Sequence, residues 1–156
     1  MQGDPSVVTA LNAVLFIEIT AHEVFHAWEH VMKRRKYKKI EKWYDDANAD
    51  SRSRRRYLEN RLFELDSPAT IAMRPTVVEP SAAIAAVFSM SSALANELLA
   101  AYQAAYQAAE AAGDNTTSEE LCEQQEEVED LIIDLEAFAG QISDLGGIAP
   151  YLQTRV

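Results

Sequence analysis

Residues 67–80 read SPATIAMRPTVVEP. Pro68, Pro75 and Pro80 stand inside this stretch, which is therefore neither a helix nor a tight turn. Extended at roughly 3.3 Å per residue, it reaches about 46 Å. The apolar stripes on both sides repeat at helical spacing and predict helices of about 27 residues, each about 40 Å long. The link is long enough to cross a whole helical bundle, so the two helices it joins run parallel. The other connections are about 4–5 residues and make antiparallel pairs. An all-α, four-helix bundle with one long crossover follows.

Working outward, Asp4-Pro5 starts a first helix over about 5–34, with Val8, Leu11, Leu15, Glu18, His22 and Phe25 on its stripe. The basic cluster 33–39 covers its end. A second helix spans about 39–66 and carries Tyr44, Ala47, Ser51, Arg54, Leu58 and Leu62 inward. Ser81 is read as the cap of a third, about 81–112, and Thr117-Ser118-Glu119-Glu120 as a capping box for a fourth, about 118–145. The inward stripe of the fourth includes Val128, Leu131 and Leu135, and a short helical tail is expected over about 148–155. These elements make 1–156 one domain.

The chain has 156 residues, 25 acids against 14 bases, a net charge of −11 and one cysteine. Such an acidic surface suits cations better than nucleic acid or an anionic membrane. Cys122 has no internal disulfide partner, and the opening MQGDPSVV carries no basic leader, so a cytoplasmic location is expected. No uninterrupted apolar run approaches about 18 residues, so no membrane span is expected.

MQGDPSVVTALN at the start, EITA beginning at Glu18, RLFELD at 61–66 and LGGIAPYLQTRV at the end resemble the bacterioferritins over the length of the chain. That resemblance implies an iron-storage subunit that self-associates as a dimer and as a 24-mer cage. It implies a di-iron site inside each bundle, and haem between two-fold-related subunits, held by one methionine from each. The di-iron site takes a Glu from each of two helices and a Glu-x-x-His from each of the other two. Aligned residue by residue, the first Glu is present as Glu18. The second-helix pair falls on Ser51 and Arg54, the third-helix Glu on or near Ala95 with Glu97 two residues on, and the fourth-helix pair on Val128 and Leu131. The haem methionine falls on Arg52. The di-iron centre is thus expected to be degenerate, with no ferroxidase activity. A carboxylate on an apolar stripe needs a partner, and Arg54 is the natural one for Glu18.

The three histidines, His22, His26 and His30, lie four residues apart on the first helix. The resemblance turns His22 and His26 toward the two-fold interface, where imidazoles suit zinc, iron or copper, or the axial positions of haem. Glu18 and Glu23 are marginal further ligands, and His30 is expected to be exposed. The same segment, His22-Glu23-Val24-Phe25-His26, is also an H-E-x-x-H string in which two histidines would hold zinc and Glu23 would activate water. It lacks an identified third ligand; Glu41, Asp45, Asp46 and Asp50 are loose candidates. Asp46 and Asp50, at i, i+4 on the second helix, form an acidic face that the resemblance turns into the storage cavity. Three readings follow: a subunit for iron storage or homeostasis binding metal or haem at a two-fold interface, a metal-free structural subunit co-assembling with an active ferritin, and a zinc hydrolase.

Overall fold

The computed structural model describes residues 2–144, with side chains described through 142. Four helices occur among them: α1 (Pro5–Arg35), α2 (Lys38–Glu64), α3 (Ile84–Ala111) and α4 (Asn115–Asp144). The expected tail over 148–155 lies outside the described residues.

Helix α1 starts as its sequence dictates: the Asp4 carboxylate accepts from the Ser6 amide at 2.9 Å, with Pro5 at the first helical position. It stops at Lys36, which adopts the left-handed conformation (φ 62°) after the basic last turn Lys33, Arg34 and Arg35. Two expected caps are corrected. Ser81 lies before the start of α3, whose cap position is Ala83, and the Ser81 hydroxyl donates to Glu79 instead. The capping box is displaced by Asp114, whose carboxylate takes the Thr117 amide at 3.1 Å and the Thr117 hydroxyl at 2.6 Å, so α4 begins three residues earlier than expected. Asp114 wins because Arg61 of α2 also reaches it, at 3.1 Å, and tethers the α3–α4 turn to α2.

The crossover hydrogen-bonds along α1 in ascending order. Asn12 donates to the Pro68 carbonyl and accepts from the Thr70 amide, Thr20 accepts from the Arg74 amide, and Arg35 donates to the carbonyls of Pro80 and Ala82. The chain that left the bottom of α2 is thus carried to the top of α1 before α3 descends, making α2 and α3 parallel. Helix α1 packs on α2 and α3, and α3 on α4, whereas α2 and α4 approach each other little. The core between them is continuous, from Leu11, Leu15, Phe25 and Trp28 through Tyr44, Leu58 and Leu62 to Phe88, Leu98, Leu121 and Leu135. Each such side chain contributes about 1.5–3 kcal/mol by leaving water.

Averaged over a window rather than counted as unbroken runs, two helices read as apolar, a test that the core helices of a bundle also pass. Helices α1 and α3 are each long and apolar enough to cross a membrane by length and composition. Counting unbroken apolar runs missed them because Asn12, Glu18 and Thr20, or Ser91, Ser92 and Asn96, interrupt runs whose average stays apolar. In the bundle, half of the α1 window and a third of the α3 window are buried.

Candidate functional site

At mid-height the bundle converges on Glu18, which is fully buried. Arg54 lies opposite it on α2 because both occupy inward stripes of antiparallel neighbours, and its Nε donates to Glu18 Oε1 at 2.5 Å. The same oxygen accepts from the Tyr102 hydroxyl of α3 at 2.7 Å, and Oε2 accepts from the Ser51 hydroxyl at 2.6 Å. Burial pulls the Arg54 pKa down, but the charge and hydrogen bond of Glu18 override it and hold the guanidinium above the ordinary arginine range. Burial, followed by the nearby Glu18, pushes the Tyr102 hydroxyl well above its usual range, so Tyr102 keeps its proton and donates. The carboxylate is thus surrounded by three donors.

The remaining positions mapped for di-iron ligands are hydrocarbon. Ala95 and Val128 are fully buried and Leu131 nearly so. Glu97, the nearest acid to the third-helix position, points away from the centre and pairs with Arg74 of the crossover. A di-iron cluster needs several carboxylates and two imidazoles converging on two dications; here one carboxylate meets a fixed guanidinium. The residues present do not fit that group. Tyr102 is the member of this network that sequence reasoning missed. It stood on the inward stripe of α3, but nothing in the pattern told a packing tyrosine from one donating to a carboxylate on α1.

Outside the centre, the gap between α2 and α4 holds a cavity of about 180 Å3. Its wall is acidic: Asp46 and Asp50 from α2, and Glu127, Asp130 and Asp134 from α4, with Arg54 reaching in from the core. Arg54 Nη2 is buried without a hydrogen-bond partner. Glu127 is held above the ordinary glutamate range, first by partial burial and then by the charges of Asp50, Glu18 and Asp130, against the pull of Arg54. Asp46 is joined to Lys42 at 3.1 Å, and Asp134 accepts from the Trp43 indole at 3.0 Å. The acids expected on α2 therefore face a second row on α4. The dense acids between Glu126 and Asp134 were the available sequence signal for it.

The histidine stripe pairs differently from expectation. His26 Nε2 lies 3.2 Å from His30 Nε2, the rings meeting edge to face, and both residues are exposed. His26 is further held through Nδ1 by Asn48 at 3.3 Å and approached by Glu29 at 3.5 Å. His22 stands apart from that pair. Its side chain is 16% exposed, its Nδ1 lies 3.6 Å from Glu23 and has no hydrogen-bond partner. Burial lowers its pKa; the charge of Glu23 opposes this, and the smaller repulsions of Arg52, Arg55 and His26 add to it. The structure thus joins His26 to His30 through one ring nitrogen, while Asn48 of α2 contacts the other; His22 is left out of the pair. Glu18 is consumed by Arg54 and is unavailable to the stripe. No group of three histidine, cysteine, aspartate or glutamate side chains placed to hold a metal ion occurs among the described residues.

The family described as Ferritin-like domain matches residues 8–145. No curated protein matches the chain.

Proposed function

The chain belongs to the ferritin-like domain family, and on that premise we propose that it is a bacterioferritin-like subunit of iron storage whose ferroxidase centre has been replaced by a buried ion pair. The observation that carries this reading is the saturation of Glu18 by Arg54, Ser51 and Tyr102. A dication entering there would have to displace a charge that Glu18 holds in contact, and would gain few other ligands in return. Members of the family bind iron and self-assemble, and iron as cargo has a different place to bind. The cleft between α2 and α4 is lined by five carboxylates in two facing rows, which suits weak, hydrated capture of iron ions rather than a fixed catalytic pair.

Metal or haem at a two-fold interface remains part of this reading, through other residues than the sequence favoured. His26 and His30 present two imidazole nitrogens 3.2 Å apart on an exposed face, a separation at which one ion can be shared. A second copy of the chain would complete the ligand set. Arg52, standing at the mapped haem methionine, offers haem iron no ligand of that kind. The structural-subunit reading shares the ion pair and differs in binding no iron. The zinc hydrolase reading needs His22 and His26 to converge, and they do not.

Metal analysis of the protein as purified, with an absorption spectrum, tests the proposal. Iron, with or without a haem band, supports it. A metal-free protein that cannot be loaded with iron supports the structural subunit, and stoichiometric zinc held by His22 supports the hydrolase.

A further inference from the structure

The chain is strongly acidic, yet residues 51–58 read SRSRRRYL, with four arginines and no acid. Arg54 turns inward to Glu18. The other three, Arg52, Arg55 and Arg56, occupy i, i+3 and i+4 positions and line one cavity of about 300 Å3 with His22 of α1 and Glu59 of α2. Like charges at this spacing repel. Only Arg55 is relieved, its Nε donating to Glu59 at 2.8 Å. Neither Arg52 nor Arg56 has a carboxylate partner among the described residues. His22 adds a buried Nδ1 without a hydrogen-bond partner. Three guanidinium groups and an imidazole against Glu59 and Glu23 leave a surface of excess positive charge and unused N–H donors.

We propose that His22, Arg52, Arg55 and Arg56 form a binding site for a phosphate-class oxyanion. Guanidinium forks match the oxygens of a tetrahedral dianion, and several arginines converging on one cavity suit it better than a single point charge. The bound anion would relieve the repulsion among the three arginines. It would also add negative charge beside His22 to that of Glu23, 3.6 Å away, so His22 would take up a proton as the anion binds. The groups facing His22 are Glu23 and His26 on its own helix and Arg52 and Arg55 on α2, with Arg56 and Glu59 on the same cavity wall. Of these, Glu23 and Glu59 alone oppose the positive field. The ligand is either free phosphate or the phosphoryl group of a phosphate ester.

The test is calorimetric titration of the full chain with inorganic phosphate and, separately, with phenyl phosphate, against chloride at equal ionic strength. The His22 ring proton is followed by NMR across pH. Saturable binding of inorganic phosphate is expected, with an upward shift of the His22 titration that chloride does not produce. Tighter binding of phenyl phosphate would assign the site to a phosphate ester, and equal or weaker binding would assign it to the free ion. Arg52→Gln and Arg56→Gln, both at exposed positions, should leave the unfolding midpoint unchanged and each weaken binding about tenfold or more. Lack of saturation with both phosphates, a His22 shift that chloride reproduces, or binding that survives the double variant would overturn the assignment.

Discussion

Arg54 Nε donates to Glu18 Oε1 at 2.5 Å, with both side chains at least 98% buried. A charge pair this deep has little to do with net stability, since desolvation cancels most of the attraction. It matters because neither charge tolerates the loss of the other. Glu18→Gln and Arg54→Met should each destabilise the fold by about 3–5 kcal/mol, and the double variant should recover much of that loss. Urea unfolding of the four proteins measures the coupling. Single variants with the parental midpoint would contradict the buried pair.

Tyr102 donates the third hydrogen bond to Glu18. Tyr102→Phe removes that donor while keeping the ring, so it should cost about 1.5–3 kcal/mol, the range for a bond to a charged group. Tyr44→Phe, which loses a bond to a neutral hydroxyl of Ser91, should cost less. Chemical unfolding of the two variants side by side distinguishes them.

In the acidic cleft, Glu127 is held above its ordinary pKa of 4.5. A carboxyl with a raised folded pKa binds its proton more tightly folded than unfolded. Stability therefore falls as pH rises from the unfolded pKa through the folded one. Glu127→Gln should remove that penalty, gaining roughly 0.5 kcal/mol or less at pH 7, since the group is largely solvent-screened, and nothing below about pH 4. The same substitution combined with Asp50→Asn should lower the iron taken up per chain, measured by iron analysis after aerobic loading. Unchanged loading would remove the cleft from the account.

The imidazole pair is tested by metal titration. Zinc or copper should bind through His26 and His30, whose Nε2 atoms lie 3.2 Å apart. His26→Ala and His30→Ala should each reduce affinity, while His22→Ala should not. A large effect of His22→Ala with none of His30→Ala would restore the pairing expected from sequence.

The topology was legible because it followed from lengths: a proline-bearing link long enough to span the bundle and three-proline spacing that forbade a helix within it. The facing of Glu18 and Arg54 was legible because each lay on an unambiguous inward stripe. What failed was local competition. Thr117 and Ser118 were plausible caps, but Asp114 was preferred through Arg61, a contact from another helix that no capping pattern contains. His22, His26 and His30 share one spacing, so the spacing alone does not say which pair meets; His26 pairs with His30 and takes a contact from Asn48 across the α1–α2 contact. The acidic wall of α4 was visible as composition, yet its meeting with Asp46 and Asp50 depends on the gap between α2 and α4.

The central claim is that the bundle centre holds an ion pair where relatives in resemblance hold two irons. Stopped-flow oxidation after anaerobic addition of ferrous ion tests it most directly. The rate expected is that of protein-free iron at the same pH, with no early phase. A fast phase saturating at two irons per subunit would contradict the claim.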